Sequence, residues 1–237
     1  MKLACSSTAF DEQLRNGDLT QLEWIDACAR ELAADGVVFD VRHFPRTDTD
    51  YLAQIKKLSA DLGLSVAAVR HDGFFTADFA HMEQALEMAL AVAAPLLAAP
   101  LPPMTAAPWN DVLARLGEAA ALAKRFNVTI ALRNQPHSFA AGVHDMKRVT
   151  KEGDSAWLRY GPDFETLEEG SDPQDLLPKT VLVWHEFSAT SDDAIARLRS
   201  ILGSYRGFLA LDAVQGDANV ASMKKAVDRI WRLSHEI

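Results

Sequence analysis

The residues whose types could do chemistry stand at the ends of short apolar runs. Val128-Thr-Ile-Ala-Leu132 leads into Arg133, Asn134 and Gln135; Thr180-Val-Leu-Val183 leads into Trp184, His185 and Glu186; Gly207-Phe-Leu-Ala-Leu211 leads into Asp212, with Gln215 beyond. Asp40, Arg42 and His43, then Arg70, His71 and Asp72, then Arg159, Tyr160 and Asp163 close three more runs, and Ser6 and Ser7 close the first. An imidazole exchanges protons near neutrality, and a guanidinium's planar fork fits a carboxylate or phosphate. The expected catalytic groups are therefore His185, Asp212 and Arg133. The expected substrate-binding groups are Asp40, Arg42, Arg70, His71, Asn134, Gln135, Arg159, Tyr160 and Trp184. Each has a structural alternative: the arginines as plain ion pairs with Asp40, Asp72 and Asp163, His185 as a histidine packed beside Trp184. If His185 faces inward, strand alternation sends Glu186 outward.

These groups converge only if the runs are neighbouring parallel strands. Eight apolar runs alternate with helical periods: strands at Leu3–Ser6, Gly36–Arg42, Leu64–His71, Leu96–Ala99, Val128–Leu132, Ala156–Tyr160, Thr180–His185 and Gly207–Asp212, and helices between them. The first long helix is expected over Thr20–Ala34, closed by Asp35 with Gly36 as its left-handed cap. Eight strand–helix units in 237 residues favour one (β/α)₈ TIM barrel over 1–237, near the usual size of about 250 residues, with every strand end at a single mouth.

Composition narrows the ligand. A net charge of −9 and a pI near 5.2 argue against a sequence-independent nucleic-acid binder, which needs a basic surface. The longest apolar run, Met88–Leu101, is interrupted by Pro95 and Pro100 and is too short for a membrane span. Cys5 and Cys28 form neither a metal-type pair nor a disulfide framework, so a reducing cytoplasm is expected. Cys5-Ser6-Ser7 has no nucleophile-elbow context. The expected partner is a small molecule, with homo-oligomerisation left open.

Four of the strands resemble those of the xylose isomerase-like barrels, a superfamily of sugar-phosphate isomerases, epimerases and AP endonuclease-type enzymes. Gly36-Val-Val-Phe-Asp-Val resembles the second-strand pattern, Leu132-Arg-Asn-Gln the fifth-strand L-E-N-H, Val183-Trp-His-Glu-Phe the seventh-strand H-x-K-D, and Gly207-Phe-Leu-Ala-Leu-Asp the eighth-strand G-x-x-x-I-E. The resemblance implies sugar isomerase or epimerase chemistry with a divalent manganese, magnesium or zinc ion. Its carboxylate ligand on strand five falls on Arg133, its acid on strand six near Gly161, and the histidine after that near Phe164; His185 and Asp212 keep ligand chemistry. A guanidinium cannot deprotonate near neutrality, and two like charges about 4 Å apart repel by roughly 4 kcal/mol at an effective dielectric of 20. Arg133 is thus expected to stand in the cation's place, paired with Asp212 or with an anionic ligand, and no metal is expected; the alternative is a rearranged set of Asp163, His185 and Asp212. Two functions follow: an isomerase-like barrel acting on or binding a polyhydroxy or anionic carbohydrate, or a catalytically inactive binding or scaffold barrel.

Overall fold

The computed structural model describes residues 1–167, 172–188, 191–213 and 218–235. Its strands are β1 Lys2–Ser6, β2 Gly36–Asp40, β3 Ser65–Arg70, β4 Leu96–Pro100, β5 Thr129–Arg133, β6 Leu158–Tyr160, β7 Leu182–Glu186 and β8 Phe208–Asp212. All pair in parallel, in the order β6-β5-β4-β3-β2-β1-β8-β7. The chain's first and eighth strands are therefore neighbours, and the sheet curls on itself. Between β6 and β7 the ring is joined by two isolated bridges, Tyr160 to Thr180 and Asp163 to Trp184. The result is the α/β barrel expected from the alternation of runs.

The helices are α1 Asp11–Asn16, α2 Gln21–Arg30, α3 Thr49–Asp61, α4 Phe79–Ala91, α5 Trp109–Phe126, α6 Val143–Glu152, α7 Asp192–Leu202 and α8 Val220–His235. Local chemistry sets their ends. Thr20 and Glu23 form a reciprocal capping box at the start of α2, Asp48 and Asp78 cap α3 and α4, and Asn127 closes α5 in the left-handed conformation. None of the described helices is long and apolar enough to cross a membrane.

Strand alternation divides the apolar residues in two. A large cluster joins Leu3, Val37, Leu97, Ile130, Val183 and Leu209 to helix residues such as Trp24, Ile55 and Leu116. A smaller one contains Ala4, Val38, Ala68, Ala98, Ala131, Leu182, Trp184 and Ala210, with no helix residue, and fills the lumen. Small side chains dominate this inner layer, and Trp184 occupies the volume they leave.

Two expectations are corrected. Helix α2 stops at Arg30 rather than Ala34, and the left-handed position after it is Ala33, at φ +51°. Gly36 is not a cap: it lies inside β2, where a Cβ would stand 2.6 Å from the Ser65 carbonyl oxygen and 2.9 Å from the Phe208 ring. Glycine is needed there for close approach of neighbouring strands. Helix α1 and the 3-10 turn Ser7–Phe10 before it, unforeseen in the sequence, follow β1 directly, and the turn packs on β2 and β8.

Candidate functional site

Arg70, Arg133 and Asp212 each lie at the last position of a strand, in phase with the lumen residues Ala68, Ala131 and Ala210. Alternation therefore aims all three into the mouth. Arg133 Nη2 donates to Asp163 Oδ2 at 2.8 Å and lies 3.1 Å from Asp212 Oδ2. Arg70 Nη1 donates to the same Asp212 oxygen at 3.0 Å, and its other nitrogens clasp Asp72 at 2.8 Å each. Thr8 donates to Asp212 Oδ1, and since its proton is spent there, Ser6 is the donor to Thr8 across 2.5 Å. Behind this group Arg42 clasps Asp40 at 2.9 and 3.0 Å, with Arg70 Nε 3.7 Å from Asp40.

The ion pairs foreseen as the structural alternative and the Arg133–Asp212 pair are thus present together. Burial alone would raise the Asp212 carboxyl's pKa; the Arg133 and Arg70 charges and the Thr8 hydroxyl reverse the sign and hold it below the usual carboxylate range. Burial likewise opposes the charge on Arg70, and Asp212, Asp72 and Asp40 together raise its pKa above the ordinary guanidinium value.

Trp184 forms the floor. The Arg133 guanidinium lies 4.4 Å over its indole and that of Arg70 5.8 Å. Only 1% of the tryptophan is exposed, so it carries the arginines rather than offering an open face to a ligand. Above lies a cavity of about 640 Å³ bordered by Arg70, Asp72, Phe75, Pro100, Arg133, Gln135, Asp163, Glu165, Glu186 and Asp212, among others. Its charged lining, among the described residues, is two guanidiniums against five carboxyls.

Other expected site residues stand elsewhere. His185 shares the strand phase of Val183 and faces the helix layer; its Nδ1 lies 2.5 Å from Glu165 Oε1. Glu186, in register with Asp212, borders the mouth in its place. The alternation argument was right and its phase was reversed. Tyr160 is 4% exposed and bonds Thr150 through its hydroxyl, while Arg159 turns back to the Leu158 carbonyl. His71 borders a separate depression with Val41, His81 and Met88, and burial lowers its pKa. Asn134 lines the cavity but spends its amide on Asp163 and Thr166. Gln215 lies outside the described residues.

Sequence reasoning missed Thr8, Asp11 and Glu165. Asp11 completes a Ser7–His43–Asp11 chain of 2.8 Å contacts, similar in wording to a hydrolytic triad. Ser7 is fully buried and accepts from the Asp40 amide, so this chain ties β1, β2 and α1 together rather than presenting a nucleophile.

No family model and no curated protein sequence matches the chain. Solved structures do. D-psicose 3-epimerase with D-tagatose from Clostridium cellulolyticum H10 superposes with a TM-score of 0.78 at 12% identity, covering 100% of this chain and 99% of that one. The probable 3-DHS dehydratase AsbF involved in petrobactin synthesis from Bacillus anthracis gives 0.77 at 15% identity, covering 98% and 99%. A xylose isomerase domain protein from Alicyclobacillus acidocaldarius subsp. acidocaldarius gives 0.77 at 15%, covering 99% and 98%. Identities this low show the fold alone, and the fold shared with these structures is the eight-stranded parallel α/β barrel.

Proposed function

We propose that the chain is a sugar isomerase- or epimerase-type barrel that takes a small neutral polyhydroxy ligand of the carbohydrate class at its mouth, with Arg133 in the position of a divalent cation. The observation that carries this reading is Arg133 Nη2 lying between Asp163 Oδ2 and Asp212 Oδ2, at 2.8 and 3.1 Å. Two carboxylates sharing one positive centre is what a dication would otherwise require. The donor set does not fit such an ion: the guanidinium occupies the point of convergence, and His185, the third member of the rearranged set, faces the helix layer.

The ligand is read as neutral because the lining carries more carboxyls than guanidiniums, and Arg70 and Arg133 are already engaged by acids. An added phosphate or carboxylate meets net repulsion there. Epimerases among the similar folds act on ketoses by name, which supports the substrate class. A second reading, binding without turnover, draws on Asp212: a carboxylate held by Thr8, Arg70 and Arg133 with a depressed pKa is a poor base.

Melting scans test the proposal. D-fructose is expected to raise the melting temperature and D-fructose 6-phosphate to leave it unchanged. Mn²⁺, Mg²⁺ and Zn²⁺ should not stabilise the wild type, whereas Arg133→Ala, which leaves Asp163 and Asp212 facing each other, should gain a Mn²⁺ response. Stabilisation of the wild type by Mn²⁺ that is lost in Asp212→Asn would overturn the assignment of Arg133, and a preference for the phosphate would overturn the neutral ligand.

A further inference from the structure

The helix layer carries a second depression, which shares no residue with the mouth cavity. It is a groove of about 800 Å³ that follows the line between α2 and α3. Its floor is apolar: Leu19, Leu22, Leu58 and Val220 border it, each packed on the core and only half-buried. Its walls are acidic. Lys57 and Asp61 of α3 pair with each other, which leaves Asp18, Glu23, Asp26 and Glu31 along α2. Asp26 meets Arg30, and Glu23 is tied to Thr20 at the helix start, whereas Asp18 and Glu31 have no ion-pair partner among the described residues. Half-exposed leucines rimmed by carboxylates suit a partner that is apolar at its centre and positive at its edge.

A complementary face lies next to the groove on the same molecule. Val220 opens α8 as well as bordering the groove, so the two features adjoin. On α8 Ala221, Lys225, Asp228 and Arg232 are exposed, at the spacing of one helical stripe. Lys224 takes up the Asp228 carboxylate at 2.8 Å, and Arg232 Nε donates to the Asp228 backbone carbonyl, so no carboxylate opposes Lys225 or Arg232 among the described residues. Trp231, half-buried, follows Lys224 by seven residues and adds aromatic surface along that edge. The lengths also agree. Glu23 and Glu31 lie eight residues apart, about 12 Å, and Lys225 and Arg232 seven, about 10.5 Å, at roughly 1.5 Å per helical residue.

We propose that α8 of a second copy of this chain occupies the groove, its cations against the α2 carboxylates and its aromatic edge on Leu19, Leu22 and Leu58. Because groove and helix adjoin, one two-fold axis places each α8 in the other copy's groove, and the contact closes as a dimer instead of extending as a fibre. Helices α2 and α8 follow parallel strands and run the same way within one copy. An axis perpendicular to them sets the second copy's α8 antiparallel to α2, with Lys225 toward Glu31 and Arg232 toward Glu23. This dimer forms on the helix layer whatever ligand the mouth takes.

Sedimentation velocity on the whole chain is the test, at micromolar concentrations in about 0.05 M and about 0.5 M NaCl. A dimer is expected, and its dissociation constant should rise about tenfold or more in the higher salt. Glu31→Lys and Lys225→Glu should each weaken it by about tenfold or more, since like charges then face each other, and the double variant should recover most of the affinity. Lysine at the C-terminal end of α2 suits the helix dipole, so Glu31→Lys keeps its fold, which unchanged far-ultraviolet circular dichroism checks. A monomer at every concentration overturns the proposal, and so does a dimer that neither single variant alters. A double variant no stronger than the single ones overturns the Glu31–Lys225 pairing. A monomer that binds a synthetic Lys/Leu amphipathic helix, and loses it in Glu31→Lys, makes another protein the occupant and overturns the second copy.

Discussion

Arg133 is the residue on which the mouth turns, because it compensates two carboxylates at once while lying on an indole. Its side chain is 14% exposed and those of Asp163 and Asp212 are 10% and 6%. Removing one partner of so buried a pair leaves uncompensated charge, which typically costs about 3–5 kcal/mol. Arg133→Ala should lose stability of that order near neutral pH, read by urea unfolding. The pH dependence carries a definite sign. The folded pKa of Asp212 is depressed, so its contribution is present above the unfolded value of about 3.9 and disappears as pH falls through the lower folded value. Without Arg133 the folded pKa rises towards or past the unfolded value, so the window shrinks and less stability is lost on acidification. Parallel curves for wild type and variant between pH 3 and 7 would show that Arg133 does not set the Asp212 charge.

Elements were legible where their pattern is local, and ambiguous where phase decides the outcome. Every strand run was readable, since short β-branched and alanine-rich runs bounded by turn residues admit little else. Which face a residue takes was not, because a strand buried on both sides lacks the polar alternation that marks one face. Trp184, His185 and Glu186 were therefore readable as a group and not one by one. Glu165 escaped because its partner lies 20 residues away across the β6–β7 junction. Gly36 shows the same limit, since a glycine after a helix reads as a cap until the neighbouring strand is seen. The two interpretations predict opposite substitutions. Gly36→Ala should cost about 1–3 kcal/mol, because strand backbone must shift to admit the methyl group. Ala33→Gly, at an exposed left-handed position, should be neutral or stabilising by up to about 1 kcal/mol. Denaturation midpoints decide, and a stabilising Gly36→Ala would refute the close-approach account.

At the scale of the whole molecule, the polar cluster also holds the ring closed. Strand β8 pairs continuously with β1 and β7, whereas β6 and β7 meet through two isolated bridges, with amide bonds from Val181 to Tyr160 and from Trp184 to Pro162, each 2.9 Å. Asp163 sits at that junction, fixed by Arg133 of β5 and by the Asn134 side chain. Arg70 of β3 and Arg133 of β5 both reach Asp212 of β8, as chords across the mouth. The seam has fewer paired positions than the β1–β8 ladder, so it should open at a lower free energy than that ladder. Native-state hydrogen exchange should show the Val181 and Trp184 amides exchanging ahead of the β1–β8 amides. Arg133→Ala should accelerate the Trp184 amide by about tenfold, a loss of roughly 1.4 kcal/mol, beyond any change shared by the β1–β8 amides. Uniform protection around the ring, or an equal change at every strand, would mean that the barrel opens as one unit and that Arg133 contributes to the ligand site without closing the fold.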